Sequence, residues 1–306
     1  MITPYLDINP DVKKAMDRAN PVIALESTII CHGMPYPKNT QTAIQAEQIA
    51  RDHGVIPATI AIINGRLKVG LTEDEIEYLG KLGKKVQKVS RRDLPFIVNQ
   101  KDNGATTVAA TMIIAAMAKI KVFATGGIGG VHRDVNESYD ISADLQELSQ
   151  TNMAVVCSGV KSVLDIPKTL EYLETHGVSV IGYKTKNMPA FYNSDSGYAV
   201  DYMINDTKDI AETMKVKWDL KQKGGLLITN PIPKKYSLPA SEINQVINTA
   251  LLEMQERNIT GKETTPFLLS KIAEITEGRS LESNIKLVLN NVSLGSKIAL
   301  CFSGLN

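Results

Sequence analysis

From residue 22 onward, short runs of β-branched and apolar residues alternate with segments whose apolar positions recur at helical spacing. That alternation predicts a mostly parallel sheet with helices on both faces. Strands are predicted at 22–30 (VIALESTII), 58–63, 85–89, 122–125, 153–157, 178–183 and 226–229. Residues 39–53 repeat apolar side chains at Ala43, Ala46, Ile49 and Ala50 and stop before Gly54, a left-handed helix terminator. Thr72 and Glu75 have capping-box spacing in front of a short helix. The run 106–120 (TTVAATMIIAAMAKI) is apolar on all sides, which predicts a buried helix. Segments 241–258 and 266–299 supply a helical C-terminal third, and NGRLKV at 64–69 predicts a hairpin, hence an antiparallel strand in the sheet.

No internal repeat, low-complexity tract or Gly/Ser linker divides the chain, so a single domain over 1–306 is expected, with 1–20 as an N-terminal leader segment. Residues 187–205 (NMPAFYNSDSGYAVDYMIN) interrupt the alternation with Pro189, Gly197 and clustered polar side chains, which predicts a lid-like excursion. Charge narrows the partners. Lys plus Arg is 34 against Asp plus Glu 33, which leaves no excess to attract nucleic acid or an anionic membrane. The three cysteines lack C-x-x-C spacing, so neither a disulfide framework nor a structural zinc site is expected, and a reducing cytoplasm fits. The apolar stretch 21–31 is too short to span a bilayer and carries Glu26, so it reads as a buried strand rather than a membrane or secretory segment.

Ligands of parallel α/β sheets sit beyond the carboxyl ends of the strands. Those ends carry Glu26, Ser27 and Thr28; then Lys88, Ser90, Arg91 and Arg92; then the glycine loop GGIGG (126–130) with His132 and Asp140; and then Lys161. The loop matches neither familiar phosphate motif: His132 occupies the place of a third fingerprint glycine, and no Gly-Lys-Ser/Thr follows. Two readings stay open for it, close approach of bare backbone to a polar ligand or a tight turn with no ligand. Downstream, Ser142 is a good N-cap and Asp144 suits a first helical turn, where exposed N–H groups hold phosphate. Asp140 offers a hard oxygen to Mg²⁺ or Mn²⁺; alternatively, both aspartates only cap a helix.

Glu26 lies among apolar neighbours, where desolvation raises a carboxyl pKa and makes a proton donor for neutral pH. The competing reading is a structural ion pair. Lys161 is flanked by Val160 and Val163, a setting that frees an amine for covalent chemistry, although most lysines in such loops, and Lys88 with them, are simply solvated. Cys31 and His32 are neighbours on a predicted strand and so point to opposite faces, which argues against a catalytic pair made by these two and for packing roles.

Taken together, ALESTI, KVSRRDLP, NGATTVAATM, ATGGIGGVHR, DISADLQELS, CSGVKSVLD, PAFYNSDSG, GKETTPFLL and ESNIKLVLNN resemble the pseudouridine-5'-phosphate glycosidase family, also called indigoidine A-like, from about Pro21 to Ala299. The resemblance implies a three-layer α/β/α fold with a mostly parallel central sheet, a homotrimer, and reversible cleavage of the C–C glycosidic bond of pseudouridine 5'-phosphate to uracil and ribose 5-phosphate, with Mn²⁺ or another divalent cation such as Mg²⁺. By position it implies Glu26 as proton donor, Lys161 as covalent nucleophile and Asp140 as metal ligand. Lys88, Val108, Ser142, Ala143 and Asp144 become substrate contacts, with Thr125, His132 and Asn284 on further pocket positions. Such chemistry has a use for these groups. Uracil leaves through carbon, so a lysine amine must turn C1' into an iminium, and an acid must protonate C5 as the base accepts the electrons. Asn193 and Thr264 depart from the family pattern and bear on lid contacts or substrate preference. The rival readings are a relative acting on another phosphorylated C-nucleoside or in pigment synthesis, and an inactive phosphosugar-binding protein.

Overall fold

A computed structural model describes residues 3–259, 261 and 264–305. In chain order it contains β1 (Leu6–Ile8), α1 (Pro10–Asp17), β2 (Val22–Leu25), α2 (Thr28–Cys31), α3 (Lys38–Asp52), β3 (Ile56–Ile63), β4 (Arg66–Val69) and α4 (Glu73–Leu82). These are followed by β5 (Gln87–Val89), α5 (Leu94–Gln100), β6 (Gly104–Thr106), α6 (Val108–Met117), β7 (Val122–Ala124), α7 (Val135–Ser138), α8 (Ala143–Gln150), β8 (Ala154–Cys157) and α9 (Ile166–Thr175). The last part holds β9 (Ser179–Tyr183), β10 (Tyr202–Ile204), α10 (Thr207–Asp219), β11 (Leu226–Thr229), α11 (Ala240–Glu256), α12 (Thr264–Ile275) and α13 (Arg279–Ser303).

The strands form one sheet in the order β1-β4-β3-β2-β7-β8-β11-β9-β10, with β6 joining β3 to β5. Pairing is parallel except where β3 meets β4 and β6. The predicted hairpin is the β3–β4 connection, in which Asn64 and Gly65 both take positive φ, as a tight hairpin turn requires. Helices α6, α8 and α9 pack along one another against the sheet, while α13, with α3 and α10 against it, covers β2, β7 and β8. Helix α13 is long and apolar enough to cross a membrane by composition alone. Its place in the fold is the core. A side chain on Gly295 would lie 2.8 Å from Ile23 Cδ1, so the helix approaches the strands as closely as glycine permits.

Several boundaries differ from the sequence expectation. The run 22–30 is strand only to Leu25; 28–31 is a helical turn whose Ile30 and Cys31 amides donate to the Ser27 carbonyl at 3.0 and 3.2 Å. Tertiary bonding overrides the β-branched composition there: the Ser27 hydroxyl accepts from the Thr106 amide at 2.8 Å and pins the turn to β6. Cys31 and His32 therefore lie on a helical turn, where the Cys31 thiol donates to the Leu79 carbonyl and His32 Nε2 sits 3.0 Å from the Val86 carbonyl. The predicted helix 266–299 is two helices, because Gly278 takes a left-handed conformation between them. Residues 1–20 contain β1 and α1, and β1 pairs with β4. Strands β1, β6 and β10 have three residues each, too few to show a period of two.

Candidate active site

Strand order reverses around β2, which lies between β3 and β7, and in such sheets the crevice opens beyond the carboxyl ends at that reversal. A cleft of about 630 Å³ occupies this place. Glu26, immediately after β2, is at its floor and only 8% exposed. The Thr28 and Thr125 hydroxyls donate to its two carboxylate oxygens, so Thr125 holds the acid from behind while being buried itself. Burial pushes the Glu26 carboxyl above its ordinary value, with Asp144 reinforcing the shift, while Lys161, the Thr125 hydrogen bond and Lys88 oppose it. The rise makes Glu26 a proton donor at higher pH than a surface glutamate.

Lys161 lines the same cleft from the loop after β8, where its amide donates to the Ile128 carbonyl at 3.1 Å and ties this loop to the glycine loop after β7. Lys88 enters from β5 itself rather than from the connection after it. His132, Asp140, Ser142, Ala143, Asp144 and Asn284 complete the set of expected residues lining the cleft. Val108 does not line it; its side chain is buried at the start of α6, whose N-cap, Thr107, reaches the cleft instead.

Asp144 is a buried brace. One carboxylate oxygen accepts from the Ala109 amide at 2.9 Å and the other from the Gly129 amide at 2.8 Å, joining the start of α6 to the glycine loop. The glycines are explained by this packing. A Cβ on Gly129 would lie 2.6 Å from Ser142 Cβ and 2.8 Å from Asp144 Oδ2, one on Gly127 would lie 2.6 Å from the Phe191 ring, and one on Gly130 would lie 2.6 Å from Val160 Cγ1. Bare backbone is thus required first by neighbouring protein, although Gly126, Gly127 and Gly129 also line the cleft.

Asp140 and His132 face each other across the loop, with Asp140 Oδ2 3.6 Å from His132 Nε2 and the His132 amide donating to the Asp140 carbonyl at 3.0 Å. Among the described residues no group of three or more His, Cys, Asp or Glu is placed to hold a metal ion. One carboxylate with 41% side-chain exposure and an imidazole beside it suits a divalent cation that keeps most of its waters, not an all-protein cage.

The structure adds residues that the family resemblance does not supply. Arg91 lines the cleft and is tethered through Nη1 to the buried Glu147 carboxylate of α8, and Arg92 lies beside it. Phe191, from the 187–205 segment, closes one wall while its amide donates to the Ser158 carbonyl at 3.0 Å. In the sequence it was one of four aromatics in this segment, next to Tyr192, with nothing to mark it as a wall of the cleft. Thr265, Pro266 and Leu269 of α12 line the opposite rim; Lys262 and Glu263 of the GKETTPFLL motif lie outside the described residues. Fully buried, Asn291 of α13 donates to the Thr125 carbonyl at 2.8 Å and accepts from Asn230 Nδ2 at 3.0 Å and the Ser158 hydroxyl at 3.3 Å. One amide thus fixes the ends of β7, β8 and β11.

This arrangement agrees with what the chain resembles. The model for Indigoidine synthase A like protein matches residues 11–301. The chain belongs to that family. A pseudouridine-5'-phosphate glycosidase of Clostridium botulinum is 60% identical over 306 residues, covering all of both chains, and one of Hahella chejuensis is 57% identical over 97% of this chain and 98% of the relative. The crystal structure of the prealnumycin C-glycosynthase AlnA in complex with ribulose 5-phosphate superposes with a TM-score of 0.91 at 34% identity, covering 99% of this chain and 98% of that one. In this member of the indigoidine synthase A like family an acid, two lysines and a half-exposed carboxylate line one cleft.

Proposed function

We propose that this chain is a pseudouridine-5'-phosphate glycosidase that releases uracil and ribose 5-phosphate through a covalent lysine–sugar intermediate. The observation that carries the reading is the convergence of Glu26, Lys161 and Lys88 on one cleft, with Lys161 and Lys88 near enough to oppose the rise in the Glu26 pKa. The names of relatives that match over the full chain support the same substrate, and the phosphosugar in the AlnA complex fits a cleft of this kind.

In this reading the Lys161 amine displaces the ring oxygen at C1', which opens the ribose. Glu26 delivers a proton to C5, the N1 lone pair of the base supplying the electrons through C6. The nitrogen lone pair of the lysine then forms the C1' iminium as the C1'–C5 bond breaks, and the bonding electrons restore the C5=C6 bond of uracil. Water hydrolyses the iminium to ribose 5-phosphate and returns the amine. Lys88, Arg91 and Arg92 supply positive charge for the phosphate, and Ser142 and Ala143 at the start of α8 line the same cleft. Asp140, with His132 beside it, would hold Mn²⁺ or Mg²⁺; when bound, such an ion supplies positive charge that orients polar oxygens of the substrate. Asp140 and His132 otherwise hold each other in place at the cleft edge. The assembly proposed is a homotrimer.

Uracil release, followed by chromatography, tests the substrate. Pseudouridine 5'-phosphate is expected to turn over and the unphosphorylated nucleoside to react at least ~100-fold more slowly, since lost phosphate contacts reduce binding of the transition state. Chelator is expected to stop turnover until Mn²⁺ is restored. Equal rates on both nucleosides would overturn the assignment of the phosphate, and binding without release would favour the inactive phosphosugar-binding protein.

A further inference from the structure

The two hydroxyls on the Glu26 carboxyl sit in different surroundings. Thr28, which meets Oε2, is half-buried and lines the catalytic cleft, whereas Thr125, which meets Oε1, is 2% exposed and does not line it. Both are fixed from the protein side. Thr28 opens the α2 turn, whose preceding Ser27 accepts from the Thr106 amide at 2.8 Å, and the Thr125 carbonyl accepts from Asn291 Nδ2 at 2.8 Å. One hydroxyl thus stands at the wall of the cleft and the other behind it.

This asymmetry decides which oxygen carries the acidic proton. An ionised carboxylate only accepts and takes both hydroxyl hydrogens, but a protonated carboxyl has a donor of its own, so the hydroxyl beside that donor must turn its hydrogen elsewhere. Among the described residues Glu26 is the acceptor that the Thr125 hydroxyl bonds, and a hydrogen turned away from it would point into buried protein, an arrangement native structures avoid. Thr28 can turn its hydrogen into the open cleft. The proton therefore belongs on Oε2, facing the cleft beside Thr28.

We propose that Thr28 acts through Glu26 as a positioning and relay residue, keeping the acidic proton on Oε2 and replacing it after each turnover. The proposal rests on the glycosidase reading. Glu26 passes the Oε2 proton to C5, and hydrolysis of the iminium later releases one proton as water adds. A cleft water delivers that proton to Thr28 Oγ while the hydrogen already on Oγ moves to Oε2, so hydroxyl and acid are both restored and nothing else is consumed.

Rapid-quench measurement of uracil release from pseudouridine 5'-phosphate tests it. In Thr28→Val the first equivalent of uracil is expected within about twofold of the native rate, because Glu26 starts out protonated, and later turnovers are expected to be about tenfold slower or more, with kcat reduced and kcat/KM unchanged. Thr28→Ser, which keeps a hydroxyl, is expected to restore the later turnovers. Thr125→Val, which only loosens the acid, is expected to slow the first and later turnovers alike. Thr28→Ala gives the same reading should Thr28→Val fail to fold. Equal slowing of first and later turnovers in Thr28→Val, or no slowing, would overturn the relay and leave the glycosidase reading standing; a native chain that releases no uracil would overturn both.

Discussion

Glu26 concentrates the conflict between stability and chemistry at a single residue. Its carboxyl is buried and held above its ordinary value of 4.5, so the folded state binds the proton more tightly than the unfolded state does. The stability this contributes is complete below about pH 4.5 and is lost as pH rises through the folded value. Glu26→Gln carries no such proton. Its stability relative to the native chain is therefore expected to increase as pH rises above about 4.5, measured by urea unfolding, while uracil release falls by roughly 10²–10⁴-fold with the loss of the acid. A stability difference independent of pH would show that the carboxyl is not held protonated by burial. Its burial and raised pKa were legible in the sequence, from its place among apolar neighbours in VIALESTII, whereas its role was not, since a structural ion pair was an open reading there. Its partner Thr125 entered by family resemblance alone, because a hydrogen bond spanning 99 positions leaves no local pattern.

Among the elements, the glycine loop and α8 act as one unit. Asp144 binds the Gly129 and Ala109 amides, Glu147 one turn later binds Arg91, and Ser142 caps the helix by accepting from the Asp144 amide at 3.2 Å. Gly129→Ala places a methyl group against Ser142 and Asp144 and is expected to destabilise the chain by about 3 kcal/mol or more, as overpacking with displaced backbone does. Thermal unfolding reads this, and an unchanged midpoint would mean that the loop is loose enough to yield. The helix start was visible in DISAD, and the need for glycine in GGIGG. What the glycines approach was not visible: Ser142, Phe191 and Val160 come from three other places in the chain, and only the folded sheet brings them there. For the same reason the apolar run 22–30 does not show where β2 ends, since the Ser27–Thr106 contact decides it.

For the molecule as a whole, alternation of apolar runs and amphipathic segments revealed the parallel sheet, because parallel strands are buried on both faces and read as continuous apolar stretches. Strand order did not follow from that pattern, and it is strand order that sets Glu26 and Thr125 side by side across β2 and β7. The long α13 then locks the strand ends through Asn291 and carries Asn284 to the cleft. Assembly belongs to this scale as well. Sedimentation velocity is expected to give three copies per particle; a monomer active in uracil release would contradict the proposed trimer. The proposed chemistry turns on the nitrogen of Lys161. Borohydride reduction in the presence of ribose 5-phosphate, followed by peptide mass mapping, is expected to fix the sugar on the peptide containing Lys161 and to leave Lys161→Ala unlabelled. A label on another lysine, or none on a chain that releases uracil, would contradict it.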